Sequence, residues 1–289
     1  MGDSMSFKIV ADSCCDIIPQ IANQSNFCTV PLSLEIGDYH KLDDENFNQS
    51  DFISRIKDYS GCAKSACPSP SAWAQAFEGE QSDIYVITIT DKLSGTYNSA
   101  LQGKAIFEEE SKEPKNIHVF NSLATSGLES IAVCKIQELA ESGKSFEEVV
   151  SEAESFIKNE TELYFCLESF DALRKNGRLG SLAATVLKKL KLRLICKRSS
   201  EGSISIAGQD LTSSRAILKM INFIKQDVSG RDLSKKMLVV SHVCCEERAK
   251  DIAEKISEQC KFGTVEVVKA SGLNSLYASD GGIIVSYSK

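Results

Sequence analysis

Histidine, tryptophan and proline are scarce: three, one and five of them in 289 residues. The histidines, His40, His118 and His242, stand far apart in sequence. His118 and His242 fall in strands, where they read as packed or hydrogen-bonded histidines rather than as a general base. No G-x-G-x-x-G, no P-loop and no G-x-S-x-G occurs. Dinucleotide, ATP and nucleophile-elbow sites therefore have no support. No run approaches ~18 consecutive apolar residues, so no membrane-spanning helix is expected. The start, Met1 to Ser6, lacks the apolar core of a secretory signal. Gly2 with Ser6 fits the myristoylation pattern, which is short enough to match by chance. Met5, just ahead of the first strand, suggests an alternative start.

Positive charge is also in deficit. Lys and Arg number 33 against 40 Asp and Glu, a formal charge of −7. Nucleic acid and anionic membrane both need a basic face, so neither is an expected partner. The densest basic cluster, Lys188 to Lys191 with Arg193, alternates with Leu and reads as the wet side of a helix ending in a strand. Cysteine is abundant by contrast, eleven residues with no C-x-x-C. Cys14/Cys15 and Cys244/Cys245 are adjacent pairs, Cys134, Cys166 and Cys196 sit in apolar segments, and the Cys62–Cys67 gap lacks a nearby His. This reads as reduced thiols serving as small hydrophobes in a cytoplasmic protein, not as a disulfide framework or zinc site.

A chain of this length suggests two domains. From residue 7 the sequence alternates strand and helix. Phe7–Ala11, Ile84–Thr90 and Asn116–Asn121 are short β-branched or apolar runs, and helical stretches follow from about Ser94 to Glu110, Ser126 to Glu141 and Ser145 to Lys158. That order predicts a doubly wound, mostly parallel sheet. The stretch from Val30 to Asp51 is less regular and reads as a small appendage. After Glu162 a hairpin signal at Glu201-Gly202 joins strands near Leu192–Lys197 and Ile204–Ala207. Helices follow at Ser213–Asp227 and Glu246–Cys260, and strands at Met237–Val243, Val265–Val268 and Gly282–Tyr287. The expected fold is α/β: a Rossmann-like domain over 6–161, then an α/β sandwich over 162–289 with a mixed or antiparallel sheet.

The segment Asp91-Lys92-Leu93-Ser94-Gly95-Thr96-Tyr97-Asn98-Ser99-Ala100 follows the clearest strand and opens a helix. In an open α/β sheet, ligands collect beyond the carboxyl ends of the strands. A helix start there offers N–H groups and partial positive charge to an anion. Ser94 and Thr96 add hydroxyls, and Gly95 permits close backbone approach. Ser94 is equally readable as a plain helix cap, and the two roles do not exclude each other. Asp12-Ser13, Asn121-Ser122 and Thr125-Ser126-Gly127 are further hydroxyl-rich junctions that would converge if their strands are neighbours. Lys64 to Ser71 is a proline-interrupted loop ahead of another helix.

Taken in order, these segments resemble the DegV family. The matches are Val10-Ala11-Asp12-Ser13; Ser65-Ala66-Cys67-Pro68-Ser69 against T-S-Q-P-S; Ser94-Gly95-Thr96-Tyr97-Asn98-Ser99-Ala100 against S-G-T-Y-x-S-A; Asn121-Ser122 with Ser126-Gly127 against D-S-x-x-x-S-x-G; and Leu173 to Leu179 against L-x-x-G-G-R-I. They span nearly the whole chain. The resemblance implies a long-chain fatty acid bound with its chain buried and its carboxylate held at the Ser/Thr motifs. It implies no catalysis and no cofactor of the chain's own, and a separate fatty acid kinase subunit as partner. Carried over by position, the carboxylate contacts would be Ser65 and Ser94, with further head-group or pocket contacts at Gly95, Thr96, Ser126 and Tyr277. The sequence departs from the pattern at Ala66, Cys67 and Glu129. It departs again at Tyr277-Ala278-Ser279-Asp280-Gly281, where the family carries H-x-G-P-G. The missing histidine bears on phosphoryl transfer more than on lipid binding, and Lys92 is a candidate substitute cation. Two other classes remain readable: a hydrolase or transferase of acyl or phosphate esters using Ser94 or Cys67, for which no activating base is visible, and a regulatory protein with a vestigial pocket.

Overall fold

The computed structural model describes residues 7–111, 113–188 and 192–289. In chain order the elements are β1 (Phe7–Asp12), α1 (Pro19–Ala22), β2 (Phe27–Val30), β3 (Ser33–Ile36), β4 (Tyr39–Leu42), α2 (Gln49–Asp58), β5 (Lys64–Ala66), α3 (Pro70–Ala76), β6 (Asp83–Thr88), α4 (Thr96–Glu110), β7 (Asn116–Asn121), α5 (Gly127–Glu141) and α6 (Phe146–Asn159). Then come β8 (Thr161–Cys166), α7 (Asp171–Lys175), α8 (Ala183–Lys188), β9 (Arg193–Arg198), β10 (Ile204–Asp210), α9 (Ser213–Asp227), β11 (Met237–His242), α10 (Glu246–Gln259), β12 (Thr264–Lys269), α11 (Gly272–Ala278) and β13 (Ile283–Ser288).

Four strands form a parallel sheet in the order β2-β1-β6-β7. β6 is buried along its whole length, as expected for a strand covered on both faces. The order reverses between β1 and β6, so the loops after these strands open onto one crevice. The second sheet is mixed, in the order β10-β9-β8-β13-β11-β12, with β11 and β12 its parallel pair. One face of it packs under α9 and α10 through Ile217, Met220, Ile224, Ile252 and Ile256. The other face presents Leu163, Phe165, Cys196 and Ile284, alternating along their strands. The segment read as an appendage is ordered: β3 and β4 pair antiparallel and β5 adds to β3.

Helix α5 joins the two sheets. It packs on β1 and β6 and also on β11 and β13. A Cβ on Gly127 would lie 2.6 Å from Val239 Cγ1, so glycine is what permits this approach. The parallel and mixed sheets therefore share a core around this helix, and Val239 packs with Ile9, Tyr85 and Ile136.

Two expectations need correction. Helix α4 begins at Thr96, and Gly95, not Ser94, occupies its cap position. Helix α11 has no counterpart in the sequence reading. Seven residues are too short for an apolar period, and its start is held by groups more than 220 residues away. The Gly2/Ser6 pattern, and Lys189 to Lys191 of the basic cluster, lie outside the described residues.

Candidate functional site

A cavity of about 280 Å³ lies between the loops of the parallel sheet and the inner face of the mixed sheet. Leu163, Phe165, Leu167 and Ile284 give it an apolar wall, with Leu173 and Ala278 from the adjoining helices. The alternation that hides Tyr164 and Val285 under α9 and α10 turns these neighbours inward. The tip of the β9–β10 hairpin borders the space. A Cβ on Gly202 would collide with Thr90 Oγ1 and lie 2.9 Å from Leu123 Cα, and Gly202 has φ +85°. No other residue type fits that close approach without a shift.

Polar groups collect at one place on this cavity. Ser65 comes from β5, Cys67 from the next turn, Ser94 and Gly95 from the loop into α4, and Tyr277 from α11. Ser65 Oγ and Tyr277 OH are 3.1 Å apart, and Cys67 Sγ would lie 3.7 Å from a Cβ on Gly95. Ser94 Oγ lies 2.7 Å from Thr96 Oγ1 and accepts the Thr96 N–H at 3.3 Å. Gly95 supplies no capping side chain to α4, which leaves first-turn N–H groups and the helix's partial positive charge for an anion. Arg178 also lines the cavity. Its Nε donates to Leu93 O at 2.9 Å and its Nη1 to Asn176 O at 2.6 Å, beside the Ser94 loop. Two further basic residues line the cavity: Lys197 Nζ sits over the Tyr164 ring, and Arg198 Nη2 donates to Thr161 O at 2.6 Å while its buried Nη1 has no partner among the described residues.

The structure thus brings Ser65, Ser94, Gly95 and Tyr277 together. Thr96 and Ser126 do not line the cavity. Thr96 is buried against Ser94, and the Ser126 hydroxyl donates to Asp16. Lys92 is drawn to Asp91, at 2.9 Å on the surface. No described histidine lines the cavity: His118 pairs with Glu154, His40 with Glu35, and His242 lies on β11. Neither Ser94 nor Cys67 therefore has an imidazole to activate it. Arg178, Thr125 and Asn274 are cavity residues that the sequence reading did not assign. The Asn176-Gly177-Arg178 turn was the available signal for the first of these.

Behind this mouth lies a buried acidic knot that sequence reasoning also missed. Asp12, Asp16, Asp43 and Glu129 are each 5% exposed or less. Asp12 accepts the N–H groups of Ile89 and Cys14, both at 2.8 Å. Asp16 accepts from Ser271 N at 2.7 Å and Asn274 Nδ2 at 3.0 Å. Asp43 accepts from Gly272 N, Leu273 N and Ser13 Oγ. Burial pushes Asp12 up to about 6 and Asp43 up to about 7, and raises Asp16 too, with the hydrogen bonds pulling each back. Glu129 differs, because neither carboxyl oxygen accepts a donor. Burial, then the charges of Asp12 and Asp16, hold it well above the usual carboxylate range. Asp12, Cys14 and Glu129 have ligand atoms within 4.8 Å of one another. The Asp12 oxygens are already taken by N–H groups and the Cys14 thiol is pushed up by burial. Burial and the neighbouring Asp12 charge favour the neutral form of Glu129, which suits the trio poorly to a metal ion.

Residues 6–288 match the family model described as "Uncharacterised protein, DegV family". A DegV domain-containing protein of Streptococcus pneumoniae is 34% identical over 285 residues, 98% of this chain and 99% of that one. Among solved structures, a DegV family protein from Ruminococcus gnavus, described with vaccenic acid, is 37% identical with a TM-score of 0.90, covering 98% of this chain and 99% of that chain. The Streptococcus pneumoniae Fatty Acid Kinase (Fak) B3 protein, loaded with linoleic acid, is 32% identical with a TM-score of 0.88 over the same shares. A DegV family protein from Eubacterium eligens loaded with heptadecanoic acid is 31% identical, with a TM-score of 0.86 over 98% of this chain and all of that one.

Proposed function

The chain belongs to the DegV family, and from that premise we propose that it binds one long-chain fatty acid and presents its carboxyl group to a separate kinase subunit. The observation that carries this reading is a cavity with an apolar wall and a hydroxyl-rich polar mouth. Burying ~14–15 methylene and methyl groups at ~0.8 kcal/mol each contributes ~11–12 kcal/mol gross. Immobilising the ligand offsets part of that. The carboxylate then needs few donors. Ser65, Ser94 and the Tyr277 hydroxyl are neutral donors, and the start of α4 and Arg178 supply the positive potential. Relatives described as loaded with linoleic or heptadecanoic acid support the same ligand class.

In the proposed division of labour the chain holds no nucleotide, and the kinase brings ATP to the mouth. Developing negative charge on the acyl phosphate is met by Arg178, since Tyr277 stands where the family pattern has histidine. We place the two units at 6–161 and 162–289, and the protein in the cytoplasm, where its eleven free cysteines stay reduced. Among the described residues no helix is long and apolar enough to cross a membrane. The test is organic extraction of the purified protein followed by mass spectrometry. About one acyl chain per protein is expected. Protein that carries none, and turns over acyl nitrophenyl esters instead, contradicts the reading.

A further inference from the structure

Helix α11 carries Tyr277 to the mouth, yet its start is held by carboxylates from the opposite end of the chain. Ser271 N–H donates to Asp16 Oδ1 at 2.7 Å, Gly272 N–H to Asp43 Oδ1 at 2.7 Å, and Leu273 N–H to Asp43 Oδ2 at 2.9 Å. Asp43 is itself fixed on both sides. Its backbone N–H donates to Leu32 O at 2.9 Å, and Ser13 Oγ donates to its Oδ2 at 3.0 Å. A Cβ on Gly272 would lie 2.6 Å from Asp43 Oδ1 and 2.5 Å from Leu34 Cδ1, so the contact depends on glycine.

A seven-residue helix has little hydrogen bonding of its own, and its orphan N–H groups decide whether and where it forms. Ser271 offers no side-chain cap, and its hydroxyl is buried without a partner. The cap therefore comes entirely from Asp16 and Asp43. Asp43 takes two successive N–H groups, which fixes the direction of the helix axis as well as its end. Five residues beyond Gly272, little more than one turn, Tyr277 OH meets Ser65 Oγ. Leu273, Asn274 and Ala278 of the same helix line the cavity. Asp43 itself does not.

We infer that Asp43 is a positioning residue for the carboxylate site: by capping α11 across the two units, it sets the Tyr277 hydroxyl against Ser65. The inference rests on the fatty-acid reading above. It adds that the mouth is a composite, completed from the carboxyl-terminal unit only when Asp43 holds the helix.

The test is a double-mutant cycle on delipidated protein titrated with oleate, using wild type, Asp43→Asn, Tyr277→Phe and the double variant. Each single change is expected to weaken binding roughly tenfold, the scale of one charge-assisted hydrogen bond. The double variant is expected to bind no more weakly than the weaker single, because Asp43 acts through the Tyr277 hydroxyl. A double variant whose loss is the product of the two single losses overturns the inference, as does wild-type affinity in Asp43→Asn. If Asp43→Asn does not fold, Ser13→Ala, which removes the hydroxyl that donates to Asp43 and accepts the Leu32 N–H, enters the same cycle beside Ser13→Thr, which keeps a hydroxyl. Coupling to Tyr277→Phe in the first and not in the second supports the inference, and no coupling in either overturns it. Wild type that fails to bind oleate at all is a different result. It removes the functional reading, and the inference with it.

Discussion

Two polar regions lie side by side in this molecule and are built on opposite rules. The cavity gathers neutral hydroxyls, a helix start and the basic residues Arg178, Lys197 and Arg198, with no carboxylate among its lining residues. The knot behind it gathers four buried carboxyl groups, three of them occupied by N–H and O–H donors of the protein. The mouth has donors in excess and lacks an anion. The knot has carboxyl groups in excess, three of which have used their donors while Glu129 has none. That contrast is why the proposed carboxylate site is the mouth and not the knot. The contrast separates binding from docking: the proposed ligand site is the mouth, and the knot holds α11, which helps to form it.

The sharpest way to break the contrast is to remove an acceptor from the knot. Asp16→Ala leaves the Ser271 N–H and the Ser126 hydroxyl without their buried acceptor and takes one of two acceptors from the Asn274 amide. Urea denaturation should show a loss of about 3–5 kcal/mol, the scale for stripping one partner from a buried charged network. A loss below ~1 kcal/mol would mean that the knot is not what docks α11.

The next effect is one of pH. Burial raises Glu129 in the folded protein, so the folded state holds its proton more tightly than the unfolded chain. The stability it contributes is fully present below its unfolded value of 4.5 and is lost as pH rises toward the folded one. Wild type should lose stability relative to Glu129→Gln by up to about 1.4 kcal/mol per pH unit above pH 5. Asp43, pushed up to about 7, adds the same sign between pH 4 and 7. Parallel stability–pH curves for wild type and Glu129→Gln would contradict a neutral Glu129.

At the mouth the expected change is in affinity rather than stability. Ser94→Ala and Ser65→Ala should each weaken fatty-acid binding by about 10- to 150-fold, the value of ~1.5–3 kcal/mol for a hydrogen bond to a charged group. Ser94 also accepts the Thr96 N–H, so its loss should lower stability by no more than ~1 kcal/mol. A drop in melting temperature with unchanged affinity would make Ser94 structural only.

The difference between the regions also explains what the sequence made legible. Ser94-Gly95-Thr96 could be read because a strand, a glycine and a helix start are adjacent in the chain, and each is a local signal. The apolar run Leu163 to Leu167 is a local signal for β8, but which of its faces would meet a cavity depends on α9 and α10, more than 45 residues later. The knot was illegible for the same reason in stronger form. Asp16 and Asp43 acquire their meaning from Ser271 to Asn274, and no local pattern announces that pairing. Glu129 offered the one hint, an acid inside the apolar run Gly127 to Val133, where a charge is costly unless neutralised. Ser126 misled because a hydroxyl at a helix start reads the same whether it faces a ligand or Asp16.

The most direct test of the central claim compares two ligands at the mouth and the wall. Delipidated protein is titrated calorimetrically with oleate and, separately, with oleyl alcohol, which keeps the chain and removes the carboxylate. One saturable oleate site per chain is expected, with the alcohol bound at least tenfold more weakly and a Ser65→Ala/Ser94→Ala variant losing most of that preference. Equal affinity for the two ligands, or no saturable site for either, would contradict the assignment of this cavity to a fatty acid held by its carboxylate.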